Sequence, residues 1–272
     1  MKFAYSTNAF RNFSLEETID NIKKIGFNAV EIMADRPHLY PPDYNTEKLN
    51  HLKKKLEKIK LAVSNLNSFT LFAIGDMHHP SWIEKEEEQR HIRIQHTIDC
   101  LRMASKLNCS NISIQPGGRV EHFSKEKSMD LFLKGLDQVV PVAKKLNVKI
   151  LVEPEPFLLM ENAKQFEKFI SVVDNSAIGL NCDIGHFYCA GEDPVEVIKR
   201  FANVIGHVHI EDIKDRVHDH KICGHGDIDF VQVFEALSEI NYRGYISLEL
   251  YPYQDNPVEA GQESLEYLKN II

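Results

Sequence analysis

The chain lacks any apolar run approaching the ~20 residues a helix needs to cross a bilayer, which argues against a helical membrane protein. Its first residues, Met1-Lys2-Phe3-Ala4-Tyr5-Ser6, pass straight into polar sequence without the apolar core of a secretory leader, so a cytoplasmic protein is expected. Cysteine is sparse. The five cysteines, at 100, 109, 182, 189 and 223, are odd in number and form no C-x-x-C pair, which fits reduced thiols and argues against a disulfide framework or a cysteine-built zinc site. Positive charge is in deficit: 32 Lys+Arg against 40 Asp+Glu give a net charge of −8, the wrong sign for a broad nucleic-acid footprint. There is no Gly/Ser-rich linker, so residues 1–272 are read as one domain. Nor is there a G-x-G-x-x-G after the first strand-like run or a glycine-rich phosphate cradle.

What is present is a repeating pattern. Eight short apolar runs, Phe3–Ser6, Ala29–Met33, Leu61–Leu66, Asn111–Gln115, Lys149–Glu153, Ile178–Asp183, Val204–Ile210 and Tyr245–Leu250, alternate with longer helical patterns. Several runs are continuous and β-branched, as in Val148-Lys149-Ile150-Leu151-Val152, the signature of parallel strands buried on both faces. Helix starts stand between them. Ser14-Leu15-Glu16-Glu17 reads as a capping box, and Asn162 and Asp229 read as N-caps. Gly26 and Gly244 read as helix stops. One strand–helix unit per about 34 residues, eight times over, predicts an eight-stranded (β/α)8 barrel with all strands parallel, ahead of a doubly wound open sheet.

A barrel of this kind places its active site at the C-terminal ends of the strands. Runs five to eight end in or carry Glu153, Asp183, His209 and Glu249. Carboxylates crowded in a half-buried mouth repel one another, so a proton or a cation must sit among them. Three carboxylates and an imidazole form a mostly oxygen donor set that suits one divalent ion, Mn²⁺, Mg²⁺ or Co²⁺, with Zn²⁺ also acceptable. His207 is expected on the opposite face from His209, packed toward a helix, and is assigned no function. The segment Arg216 to Asp229 carries Arg216, His218 and His220, able to reach substrate oxygens or a second metal, and Gly224 and Gly226, which mark a tight turn. His78-His79-Pro80 is a weaker candidate, and Gln115-Pro116-Gly117-Gly118 is expected to shape the mouth. The segments Asp35–Asp43 and Phe69–Trp82 are expected to set substrate shape, with Phe72, Trp82, Phe157 and Phe187 as candidates for an apolar wall.

Five segments taken together, Val152-Glu153-Pro154-Glu155, Cys182-Asp183-Ile184-Gly185-His186, His207-Val208-His209-Ile210-Glu211-Asp212, Gly224-His225-Gly226-Asp227-Ile228-Asp229 and Glu249-Leu250-Tyr251, resemble the xylose-isomerase-like barrel superfamily over essentially the whole chain. The superfamily holds sugar isomerases and epimerases, inosose dehydratases and metal-dependent apurinic endonucleases. The resemblance implies that Glu153, Asp183, His209 and Glu249 hold one divalent metal ion, and that Glu153 and Glu249 act as the acid/base pair. Glu155 and His186 fall where the epimerase branch contacts its sugar. A substrate-binding arginine of that branch corresponds to Arg216 counted from His209, whereas His220 takes the position counted back from Gly224. The implied activity is sugar isomerisation or epimerisation by proton transfer beside a carbonyl, through a metal-stabilised enediolate. The expected substrate is a small sugar or keto-polyol, and the lack of a glycine-rich phosphate cradle favours an unphosphorylated one; many barrels of this kind are dimers or tetramers, so a homodimer or homotetramer is the expected assembly. Dehydration of a keto-inositol is the alternative. A multi-zinc endonuclease using His186, His218 and His220 ranks lower, since Gln115 stands where that branch has a histidine and the net charge is wrong for gripping DNA, and a non-catalytic sugar-binding subunit ranks lower because a full metal shell argues against it.

Overall fold

The apolar runs become eight strands: β1 (Lys2–Ser6), β2 (Ala29–Met33), β3 (Ala62–Asn67), β4 (Asn111–Ile114), β5 (Lys149–Val152), β6 (Ile178–Asp183), β7 (Ile205–Ile210) and β8 (Tyr245–Leu248). They pair in parallel in chain order, and β8 closes on β1 with Lys2 opposite Tyr245 and Tyr5 opposite Leu248. The computed structural model describes residues 1–272, and the helices between the strands complete a (β/α)8 barrel. These are α1 (Leu15–Ile25), α2 (Thr46–Ile59), α3 (Glu87–Lys106), α4 (Lys125–Leu146), α5 (Ala163–Ile170), α6 (Ile184–Cys189), α7 (Pro194–Arg200), α8 (Phe230–Glu239) and α9 (Pro257–Asn270).

The helix signals act as the sequence predicts, with one exception. Ser14 and Glu17 form the reciprocal capping box of α1, and Gly26 ends that helix with φ +105°. Asn162 caps α5 by accepting from the Gln165 amide, and Asp229 caps α8 by accepting from Gln232. Gly244 is not a helix stop. The α8 helix ends at Glu239, and the left-handed residue beyond it is Asn241, at φ +56°. Asparagine tolerates that conformation because its short polar side chain bonds locally.

The apolar core lies mainly between the barrel wall and the helices. Phe132 of α4 stacks on Phe169 of α5 at 5.6 Å, and Trp82 meets Phe132 edge-on at 5.4 Å. Trp82 and Phe187 are therefore core residues, and Phe157 stands in solvent, so of the four expected wall aromatics only Phe72 reaches the mouth.

Inside the barrel the filling is polar. Glu31 on β2, Asn65 and Asn67 on β3, Asn111 and Ser113 on β4, Asn181 on β6 and His207 on β7 are all buried. Asn65 donates to Ser113 Oγ at 2.8 Å and to Glu31 at 3.2 Å, Asn111 donates to Asn65 at 2.7 Å, and Asn67 donates to Glu31 at 3.2 Å. Buried polar groups persist only when partnered in this way. His207 corrects an expectation. Residues two apart on a strand share a face, so His207 and His209 both point inward, and His207 Nε2 lies 2.9 Å from Glu31 instead of against a helix. The pairing register shifts beside Glu31 and again beside Asn181, and such irregularities re-aim side chains at barrel sites.

Candidate active site

The C-terminal ends of β5, β6, β7 and β8 bring Glu153, Asp183, His209 and Glu249 together. Each offers one donor atom, and these atoms lie within 4.8 Å of one another, all buried. Two of the four come from regular strand positions, and Glu153 and Glu249 sit one residue past their strands. His209 Nδ1 is 3.1 Å from Glu153 Oε1 and 3.7 Å from both Asp183 Oδ2 and Glu249 Oε2. The other ring nitrogen, Nε2, lies 2.7 Å from Glu31 Oε2. Asp183 Oδ1 accepts the His186 amide at 2.8 Å, whereas its Oδ2 has no hydrogen-bond partner. Glu153 accepts from Asn181 at 2.8 Å, and Glu249 from Asn8 at 2.7 Å.

The charge distribution is that of a cation site. Burial, reinforced by Glu153, Asp183 and Glu31, pushes the Glu249 carboxyl well above the usual range despite the opposing His209. Burial works against a proton on His209, yet the ring of carboxylates holds its affinity well above the ordinary value. The Asp183 carboxyl is held low by His186, His209 and His220, which overcome its burial. Four convergent donors with one buried oxygen left unpartnered fit a divalent ion, and the donor chemistry is the oxygen-rich kind that hard ions take.

A second trio stands beside the first. His186, His218 and His220 offer ring nitrogens within 4.8 Å of one another. His186 Nδ1 donates to the Pro154 carbonyl at 3.0 Å and leaves Nε2 unpartnered. His220 Nδ1 donates to the Glu249 carbonyl at 2.9 Å. Burial keeps His218 near pKa 4 and His220 near 3. Their loop is tied down by Asp212, whose carboxylate accepts from the amides of Ile213, Gly224, Gly226 and Ile228 at 2.8–3.2 Å. The Gly226 backbone passes so close to Asp212 and the Ile213 carbonyl that a Cβ would sit 2.3–2.4 Å from them, which is why the turn carries glycine there.

Above these groups opens a cleft of about 660 Å³, lined among others by Glu153, Glu155, His186, His218, His220 and Glu249. Burial, with Glu153 and Asp183 adding to it, raises the Glu155 carboxyl to about 8. Arg216 is not brought to this cleft. Its guanidinium stands exposed over the Tyr188 ring and donates to the Tyr188 carbonyl, whereas His220 lines the cleft. His79 is taken up by Glu84 at 2.6 Å, and Gln115 is buried behind the mouth with its amide on the His78 carbonyl. Of the two segments expected to set substrate shape, 69–82 supplies Phe69, Thr70, Phe72 and Met77 to the lining, and 35–43 supplies none.

Sequence reasoning missed Glu31, Asn8, Arg11, Asn67 and Gln254. Glu31 left a readable signal, a carboxylate in the middle of a run that is buried at every position. The others lie near strand ends or in turns with no pattern to mark them.

A family model described as "Xylose isomerase-like TIM barrel" matches residues 19–271. An inosose dehydratase of Clostridium tetani is 29% identical over 166 residues, 54% of this chain and 55% of the relative, so the match spans about half of that protein's length. Among solved structures, a D-tagatose 3-epimerase-like protein superposes with a TM-score of 0.80 at 23% identity, covering 99% of both chains. The IolI protein with a bound zinc atom superposes at 0.82 and 20% identity, covering 100% of this chain and 98% of the other. At these identities the solved structures speak for the fold.

Proposed function

This chain belongs to the xylose isomerase-like TIM barrel family, and we propose that it is a divalent-metal-dependent sugar isomerase or epimerase that moves a proton beside a carbonyl. One observation carries the reading: four donor atoms from four consecutive strand ends converge within 4.8 Å under a cleft that both glutamates of the set also line. Glu153, Asp183, His209 and Glu249 would hold the ion, Mn²⁺, Mg²⁺ or Co²⁺ by preference and Zn²⁺ acceptably. When bound, the ion supplies Lewis-acid charge where an oxygen becomes negative.

The chain's own groups do the rest. Glu249 takes the proton from the carbon beside the carbonyl, and Glu153, from a strand three places round the barrel, returns one to the other face; for the opposite epimer the roles exchange. His186 donates from Nε2 to the developing oxyanion. Its proton affinity is raised by Asp183, Glu155 and Glu153 against the effect of burial, so the ring can donate from both nitrogens. Burial beneath the mouth keeps water from competing for these groups.

Metal content of the purified protein, beside Glu153→Ala and Asp183→Ala, tests the reading. One ion per chain, lost in both variants, supports it, and no ion after soaking overturns it. Solvent deuterium entering a ketose beside its carbonyl then identifies the proton transfer, and Glu249→Gln should abolish that exchange. The inosose dehydratase relatives favour a second reading. If the substrate carries a hydroxyl β to the carbonyl, the same deprotonation expels water, and an enone product distinguishes it.

A further inference from the structure

We propose that the mouth of the cleft binds an anionic tail, a terminal carboxylate or phosphate, on a polyhydroxy-ketone substrate, and that Arg11 is the group that takes it. The inference deepens the isomerase reading and rests on it for the identity of the ketone.

Arg11 is the only lysine or arginine lining the cleft. Its side chain donates to no protein group, and no carboxylate lies within ion-pair distance. Its Nε is buried and unpartnered although the residue is only half-buried. The other arginines either find a protein acceptor, as Arg36, Arg93 and Arg200 do, or stand in solvent, as Arg119 and Arg243 do. The terminal nitrogens of Arg11 likewise have no protein acceptor but are open to the cleft, so an entering oxyanion can supply their missing hydrogen bonds.

The side chain is also held in place. Its guanidinium lies 4.0 Å over the Phe72 ring, which fixes one face and leaves the N–H edges to meet an acceptor in plane. Phe72 is itself fixed, because the buried carboxylate of Asp35 accepts from the amides of Phe72 and Ala73 at 2.6 and 3.0 Å and from the Thr70 hydroxyl at 2.9 Å. Asp35 accepts from that loop and from the Arg36 amide, and it forms no ion pair with Arg11. The cleft is thus bipolar: carboxylates and imidazoles at the floor bind the carbonyl end, and a pre-positioned fork at the rim binds an oxyanion bidentately. The chain's net charge of −8 repels anions at long range, so an acidic substrate needs such a local cation.

The test is calorimetric titration of the manganese-loaded protein with two matched pairs. One pair is L-sorbose and 5-keto-D-gluconate, which carries a carboxylate in place of the terminal alcohol. The other is D-fructose and D-fructose 6-phosphate. The expected result is that one anion binds at least ~10-fold tighter than its neutral partner, about 1.4 kcal/mol, and that this ratio collapses to within about twofold in Arg11→Gln and only partly in Arg11→Lys. The favoured pair tells carboxylate from phosphate. No preference in either pair, a preference that survives Arg11→Gln, or no binding by any of the four sugars overturns the proposal. The same titrations on metal-free protein separate it from the isomerase reading. An anion preference that depends on Arg11 there supports the rim site even if no proton-transfer activity is found.

Discussion

Glu31 Oε2 sits 2.7 Å from His209 Nε2, so the imidazole of the candidate metal site is clamped from below by a carboxylate on a strand five places earlier in the chain. The Nε2–H group donates to this carboxylate, and Nδ1 faces Glu153, Asp183 and Glu249. Carboxylate partners of this kind orient a ligating histidine and raise its basicity, and losing them typically costs 10–100-fold in metal affinity. Glu31→Gln should weaken Mn²⁺ or Co²⁺ binding by about that factor in calorimetry and shift the Co²⁺ absorption bands, while the chain still folds. Unchanged affinity and spectrum would remove Glu31 from the site.

Metal binding should release protons. His209 and Glu249 both hold protons well above their ordinary ranges, and an ion must displace them. Affinity therefore falls as pH is lowered, and titrations at pH 7 in two buffers of different ionisation enthalpy should show net proton release. Zero release would mean that the donors are already ionised in the empty site.

Asp212 is expected to be the residue on which the histidine loop depends. Its carboxylate satisfies four backbone amides, and hydrogen bonds to charged groups are worth more than neutral ones. Asp212→Ala should destabilise the protein by about 2–4 kcal/mol in urea unfolding. It should also perturb the His218 and His220 ring resonances in NMR, whereas a surface Asp130→Ala should do neither.

Acid should unfold the protein partly through two histidines remote from the cleft floor. Burial lowers His38 to about 4 and His96 to about 3, so both are neutral when folded at pH 5. The unfolded chain binds a proton at each below about 6.5, so the stability they contribute is present above that pH and is lost as pH falls toward 4. Between pH 7 and 5 each should account for about 2 kcal/mol of lost stability. The fall in urea midpoint over that interval should be shallower in His96→Gln than in the parent, and an equal fall would refute the assignment.

Much of this architecture could be read in the residues because it is local. Strand limits, the Ser14–Glu17 box and the order of the four strand-end donors depend on short-range pattern, and the barrel follows once eight runs alternate with helices. The failures lie where tertiary packing decides. The apolar pattern alone suggests the outer face for His207, whereas the period of two puts it inward beside His209, on Glu31. Gly244 stands in a turn that Asn241 had already made. Nothing in the spacing of Arg216 tells that its loop turns it out onto Tyr188, while Arg11, in an unpatterned turn after β1, is turned in over Phe72.

Asp183 holds two posts at once. One of its oxygens caps α6 through the His186 amide, and the other stands free among the candidate metal donors. A descendant of this barrel that abandoned its chemistry would still need an acceptor to start that helix. Drift should therefore erase Glu153 and Glu249 before Asp183. In distant relatives the two glutamates, more than the aspartate, would report whether the ancestral reaction survives.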